Sequence, residues 1–275
     1  MEKDLLRKVQ LAQLEIANEI KRVCEENNIQ YFLTAGSLLG AVRHQGFIPW
    51  DDDMDFGMLW TEYEKFLQIA PEKLGDQFIL QSWDTDEGYP FAFAKVLKLG
   101  TEFVEDVFQN GQKRNELYVD IFPYYPYPVD AKLQKKQGRA IQMYKHILMV
   151  QGGMTPWTRP ESLLQKIKVV AMYSPFILMA KIMDRQKLKQ KYTKCLKMTI
   201  GKETDRFYPA GTSKFGKITI PKDCFDSYTA LPFEDTAFSA FGGYITYLKI
   251  AYGDYMQLPP EDKRENHHKI VKVRL

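Results

Sequence analysis

A chain of 275 residues with 45% hydrophobic and 13% aromatic content can bury one large core, or one core carrying a sizeable insertion, and is too apolar for a disordered chain. Cys24, Cys195 and Cys224 are odd in number and far apart, which excludes a disulfide scaffold or a zinc spacing and favours a reducing cytoplasm. The net charge of +3 is unevenly spread: between residues 131 and 200 fifteen Lys or Arg stand against two acids, a local +13 that leaves −10 for the remainder.

The opening MEKDLLRK is charged and lacks the apolar stretch of a secretory signal. Apolar residues at Leu5, Val9, Ala12, Ile16, Ile20 and Val23 recur every three or four positions and predict an amphipathic helix over 3–27, ended by Asn27-Asn28. Gln30–Leu33 reads as a short strand entering the most informative stretch, TAGSLLGAVRHQGFIPWDDDMDFGM, from Thr34 to Met58. Gly36-Ser37 opens a helical segment, Leu38, Leu39, Ala41 and Val42. A glycine lets backbone approach a phosphate, and a hydroxyl with helix-start N–H groups can bind an anion. Asp51, Asp52, Asp53 and Asp55 follow. Such crowded carboxylates repel one another unless a divalent cation neutralises them. The alternation Asp53-Met54-Asp55-Phe56 predicts a half-buried strand with Asp51, Asp53 and Asp55 on one face. A phosphate cradle beside two or three carboxylates suits phosphoryl or nucleotidyl transfer. A competing reading places a calcium loop at Asp51–Glu62, with acids at positions one, three, five and twelve. Its sixth position needs Gly and holds Phe56.

Downstream, Thr61 is positioned to cap a helix through Phe66 to Ile69, stopped before Pro71. Gln77–Gln81, Phe91–Leu97 and Glu116–Phe122 read as strands, the last carrying Asp120, and the alternation with helices suggests an α/β or α+β core. Ala131–Gln151 and Glu161–Met198 read as helical, the second with a break at Pro175. Residues 169–180 are free of charge for twelve positions, short of the roughly twenty a spanning helix needs. With basic residues on both sides, this stretch fits a membrane-surface helix; a buried helix with solvated lysines is the alternative. No nucleic-acid motif accompanies the charge, so nucleic acid is not an expected partner. Lys217–Ile220 and Thr229–Phe233 read as strands, Ala240–Tyr252 as a helix containing Gly242-Gly243, and the tail from Lys263 is basic with a His267-His268 pair.

The run GSLLGAVRHQGFIPWDDDMDF closely resembles the signature of the LicD family, bacterial phosphocholine transferases related to the fukutin-type phosphotransferases of animals. Tyr118-Val119-Asp120-Ile121-Phe122-Pro123, Tyr252-Gly253-Asp254-Tyr255-Met256 and the terminal histidines extend the resemblance, whereas roughly 131–202 matches no named pattern. The resemblance implies an α+β fold: a nucleotidyltransferase-like mixed sheet core from 1–130 and 201–275, with a mainly helical basic insertion at 131–200. It also implies that Gly-Ser precedes an Asp-x-Asp strand and that a third acid lies on a later strand. Animal relatives carry a cysteine-bound zinc that has no counterpart here.

On this basis Asp53, Asp55 and Asp120 are the catalytic candidates, and Asp51, Asp53, Asp55 and Asp120 the expected ligands of one or two Mg²⁺ ions. Asp120 sits in an apolar frame and wants a partner, as does Lys95. Gly36, Ser37, Arg43, Lys95, His267 and His268 are the candidate substrate-binding residues, with Arg264 behind them. The resemblance implies CDP-choline as donor and a sugar hydroxyl of a lipid-linked glycan precursor, of teichoic acid or lipopolysaccharide type, as acceptor. It implies work at the cytoplasmic face of a bacterial membrane, with peripheral contact to anionic lipid. Aromatic faces for the choline cation are offered by Tyr118, Tyr124, Tyr125, Tyr127, Trp50 and Trp83. The rival enzyme reading is a nucleotidyltransferase, and the non-enzymatic rival is the calcium-stabilised module.

Overall fold

The computed structural model describes residues 1–106, 114–154, 162–211, 214–266 and 268–275. The first helix, α1, runs Lys3–Glu26. Its stripe buries Val9, Ile16, Ile20 and Val23 completely, each contributing about 1.5–3 kcal/mol relative to exposure. Leu5, expected on that stripe, faces solvent. Beyond it come β1 (Phe32–Leu33), α2 (Ala35–His44), β2 (Asp55–Leu59), α3 (Trp60–Lys73), β3 (Phe78–Gln81), β4 (Ala94–Lys98), β5 (Glu102–Glu105) and β6 (Leu117–Pro126). Then follow α4 (Ala131–Gln151), α5 (Leu163–Ile182), α6 (Arg185–Leu196), β7 (Arg206–Pro209), β8 (Ile220–Pro221), β9 (Tyr228–Phe233), β10 (Thr236–Phe241), α7 (Tyr244–Tyr252) and β11 (Ile270–Arg274).

The fold is α+β. Its main sheet is mixed, in the order β1-β2-β6-β4-β3, with β7 joining the far end of β6 and β8 pairing β7. The β2–β6 pair is parallel and the remaining pairs are antiparallel. Two antiparallel pairs stand apart, the hairpin β9–β10 and the long-range pair β5–β11. The largest apolar cluster lies between α1, α2, α3 and this sheet. A second is formed by α4 and α6 with Tyr125 of β6 and Tyr208 of β7.

Several boundaries differ from expectation. The strand begins at Asp55 rather than Asp53, so Asp51–Met54 is irregular chain and strand alternation does not arrange its acids. α3 starts at Trp60 and runs through Pro71 to Lys73. Pro175 lies inside α5, which ends at Ile182. The break comes at Asp184, whose side chain accepts the Lys187 N–H and caps α6. Glu161 lies outside the described residues. β10 occupies the start of the expected 240–252 helix, and Gly242-Gly243 makes the turn into α7. A Cβ on Gly243 would lie 2.3 Å from Cys224, so the pair permits close chain packing there. β5, four residues long, was not expected from the sequence, and its partner β11 lies at the other end of the chain.

Candidate active site

Asp55 opens β2 and is the register partner of Asp120 in the parallel β2–β6 pair. Asp120 is in turn the partner of Lys95 on β4, and Lys95 of Gln81 on β3. Partnered residues project to the same face, so Asp55, Asp120 and Lys95 form a row across three strands. Lys95 Nζ lies 3.0 Å from Asp120 Oδ1 and 3.1 Å from the centre of the Tyr118 ring. The Tyr118 hydroxyl donates to buried Glu105 at 2.5 Å. Burial of both partners demands this pairing, because either charge alone would be costly in a low-dielectric site.

The preceding loop supplies the other acids. Single carboxylate oxygens of Asp51, Asp52 and Asp53 lie within 4.8 Å of one another, and Asp51 and Asp52 are buried. Two glutamines from α1 hold that loop. Gln10 donates to the carbonyls of Ile48 (3.2 Å) and Asp51 (2.9 Å), and Gln13 to those of Asp52 (2.9 Å) and Tyr118 (3.5 Å). Both are polar residues on the helix's buried stripe, a signal that sequence inspection passed over. Asp52, which had no assigned role, accepts from His268: the backbone N–H at 3.4 Å and the ring Nδ1 at 3.0 Å. β11 carries the chain end back to β5, which is how a residue at position 268 reaches residue 52. His267 lies outside the described residues.

The Gly-Ser pair forms part of the first turn of α2. A Cβ on Gly36 would sit 2.5 Å from Asp51 Oδ2, so the glycine lets this carboxylate pack against the helix start. Ser37 Oγ accepts the Asp55 N–H at 2.8 Å, fixing the backbone of the first strand acid. That use leaves the hydroxyl proton to donate. Ala35 adopts φ of 47°, a left-handed conformation costing roughly 1–2 kcal/mol in a non-glycine residue, of the kind that clusters at functional sites. Its N–H is held by the Tyr247 hydroxyl at 3.1 Å, and Thr34 Oγ1 shares a 2.5 Å hydrogen bond with Tyr124.

The electrostatics follow from burial and crowding. Burial, then the charges of Asp53, Asp120 and Asp51, push the Asp55 carboxyl well above the usual carboxylate range. Burial and Asp53 push Asp51 up to about 9. Burial raises Asp120 to about 6, and Lys95 limits that rise. Burial opposes the charge on His268, but Asp52, Glu105 and Asp53 outweigh it and the imidazole is pushed up to about 9. Buried acids held this close are short of positive charge, and the donor set is all oxygen. Both properties fit Mg²⁺ at Asp51, Asp53, Asp55 and Asp120.

Other expected residues are engaged elsewhere. Arg43 Nη1 donates to the carbonyls of Tyr255 (3.0 Å) and Gln257 (3.4 Å), tying α2 to the chain after α7. Arg264 stacks 5.5 Å over Trp50, the residue before the acidic run. Of the aromatic candidates, Tyr118 already carries Lys95, Tyr124 and Tyr125 are buried, and Trp83 and Tyr127 pack on Tyr192 and Phe215. The calcium-loop reading fails here. Asp55–Leu59 is strand, and Glu62 on α3 accepts the Gln30 N–H at 3.0 Å instead of joining the acids.

A profile of the LicD/FKTN/FKRP nucleotidyltransferase domain matches residues 28–148, the stretch that holds Gly36, Ser37, the acidic loop, Lys95 and Asp120. The lipopolysaccharide cholinephosphotransferase LicD of Haemophilus influenzae is 29% identical over 98% of this chain and 97% of its own length. The chain is thus similar to the LicD/FKTN/FKRP nucleotidyltransferase domain over residues 28–148 and to this LicD along nearly its whole length. The ribitol 5-phosphate transferase FKRP of Mus musculus is 33% identical over 112 residues, 41% of this chain and 20% of the mouse protein. Its human counterpart is 30% identical over the same shares. The activities named for these LicD-family relatives differ in the group moved and agree on phosphotransfer. The FKRP matches span less than half of this chain.

Proposed function

We propose that this protein transfers phosphocholine from CDP-choline to a sugar hydroxyl of a lipid-linked glycan precursor, with release of CMP. The observation that carries the reading is the cluster of Asp51, Asp52 and Asp53, within electrostatic reach of the paired strand acids Asp55 and Asp120 and beside the Gly36-Ser37 helix start. Near full-length similarity to a lipopolysaccharide cholinephosphotransferase supports the choice of transferred group. The catalytic core is 1–130 with 201–275, the 131–200 helices are an insertion, and the protein works at the cytoplasmic face of a bacterial membrane.

Asp51, Asp53, Asp55 and Asp120 would hold one or two Mg²⁺ ions. Such an ion would supply positive charge to the diphosphate and to the departing nucleotide. The acceptor oxygen attacks the phosphorus of the phosphocholine unit, and the bond from that phosphorus to the CMP oxygen breaks. Asp120 accepts the acceptor's proton. Lys95, 3.0 Å away, favours the ionised form of its carboxyl, the form a base requires. Gln10, Gln13 and His268 hold the acidic loop, so that its carboxylates are preorganised before substrate arrives.

The test is incubation with a panel of nucleotide donors, Mg²⁺ and a glycan acceptor, reading nucleotide products by mass. CMP from CDP-choline, with phosphocholine on the acceptor, is expected. Pyrophosphate from a nucleoside triphosphate, with a nucleotide joined to the acceptor, would replace this reading with nucleotidyl transfer.

A further inference from the structure

α5 breaks the rule that a helix on a protein surface is polar on its outer side. Among the described residues, it meets the rest of the molecule through a strip that includes Tyr173, Phe176, Met179 and Ala180. Tyr173 and Phe176 pack on His146 of α4, and the Ala180 carbonyl accepts from Gln151. Away from that strip, Leu164, Ile167, Val170, Met172, Ile177, Leu178 and Ile182 are 37–74% exposed. A largely apolar exposed side of this kind marks a binding face. None of the described helices is long and apolar enough to cross a membrane, so a spanning role does not account for it.

Charge selects the occupant. Beside α5 lies a groove of about 550 Å³ lined by Lys135 and Arg139 of α4, Lys214, Tyr127 and Phe215, and by Phe176 of α5 itself. Lys168 and Lys181 are exposed among the apolar residues near the two ends of α5, and Lys187, Lys191 and Lys194 are exposed on α6. Acids are almost absent from 131–200, and Asp184 is committed to the α6 cap. Lysine is depleted at protein–protein interfaces, and a second copy would bring the same positive surface against its like. Apolar side chains ringed by lysines match the acyl boundary and headgroup layer of an anionic bilayer.

We propose that α5 lies in the plane of an anionic membrane with its apolar outer side in the acyl boundary, while the Lys135–Arg139–Lys214 groove takes a phospholipid headgroup phosphate. This deepens the reading of a lipid-linked acceptor by naming the surface that brings the enzyme to it. β6 links that surface to the chemistry. Asp120 and Tyr125, which packs with α4 and α6, are five residues apart on one strand, or about 17 Å.

The experiment is co-sedimentation of the full chain with vesicles of phosphatidylcholine, or of phosphatidylcholine mixed with phosphatidylglycerol, at low and high salt. Wild type is expected on the anionic vesicles only, and less at high salt. Leu178→Ser with Ile182→Ser, and separately Lys135→Glu with Arg139→Glu, should each weaken binding about tenfold or more. All four residues are exposed, so far-ultraviolet circular dichroism should be unchanged. No binding to anionic vesicles, or wild-type binding by both variants, overturns the proposal. So does a wild-type dimer in light scattering that the Leu178→Ser, Ile182→Ser variant dissolves, since that would make the face a protein interface. CMP release with a soluble acceptor should survive in both variants. Lost docking with retained release therefore leaves the catalytic reading standing, and docking without release removes that reading alone.

Discussion

Gly36→Ala separates the fold from the chemistry. Alanine is the better helix former by about 1 kcal/mol, and position 36 lies in the first turn of α2 with no left-handed φ, so the backbone should accept it. The added methyl would meet Asp51 Oδ2 at 2.5 Å, where ordinary contact starts at 3.4 Å. The obstacle is the end of a side chain, so Asp51 gives way by the difference, about 0.9 Å, while the fold stays. A misplacement of about 1 Å in a catalytic group costs about 100-fold in rate, or about 2.7 kcal/mol of barrier. The assay pairs initial rates of CMP release across a Mg²⁺ titration with thermal unfolding. The expected result is a Tm near wild type, a rate about 100-fold lower and weaker Mg²⁺ dependence. Wild-type rate and Mg²⁺ response in a folded Gly36→Ala protein would refute the claim that the glycine exists to admit Asp51.

Lys95→Met should destabilise the protein by about 3 kcal/mol in urea unfolding at pH 8, less at pH 5 where Asp120 takes up a proton, and the double variant with Asp120→Asn should recover much of the loss. A single-variant cost below about 1 kcal/mol at pH 8 would count against a buried pair. Metal-free stability should fall as pH rises. Asp120 and Asp51 have raised folded values of about 6 and about 9. The stability they contribute is present below the usual carboxylate range and is lost as pH climbs through those values. His268, raised to about 9, adds stability present below its ordinary value and lost through 9. Tm without metal should therefore decline between about pH 5 and 9, and Mg²⁺ should flatten the decline by holding the carboxylates ionised. A metal-free Tm that rises over that window would contradict the crowding described here.

What the sequence disclosed, and what it withheld, follows physical lines. Local period carried α1 and α4 almost to the residue, and the need of Asp120 and Lys95 for partners was legible because each is a charge in an apolar strand. The acids were found, but their arrangement was not. A short alternation suggested a strand through Asp53, whereas the loop is shaped by backbone bonds to Gln10 and Gln13, a constraint from another helix that no local window contains. Ser37 was read as a hydroxyl at a helix start, able to bind an anion. In the fold its oxygen holds the Asp55 N–H, a contact across eighteen residues. Asp52 was passed over because its partner, His268, comes from the opposite end of the chain. Pro175 and Pro71 misled in the same way. Both prolines lie inside helices despite the lost hydrogen bond and the crowding of the i−4 carbonyl, and the α5 break falls where Asp184 offers a cap. Lys189 illustrates the hazard of reading charge as surface: it is buried and donates to the carbonyls of Trp83, Asp86 and Glu87, so it belongs to the packing of α6 and not to its basic exterior.

The central proposal is that the acids of the β2–β6 pair and of the loop before β2 form a Mg²⁺-dependent phosphotransfer centre. Its most direct test is CMP release from CDP-choline by chelator-treated protein, restored with Mg²⁺ or Ca²⁺, in wild type and in Asp53→Asn and Asp55→Asn. Restoration by Mg²⁺ and not Ca²⁺, with both variants folded by circular dichroism and at least 100-fold slower, is the predicted result. Wild-type release from either folded variant, or full activity in chelator, would contradict the account.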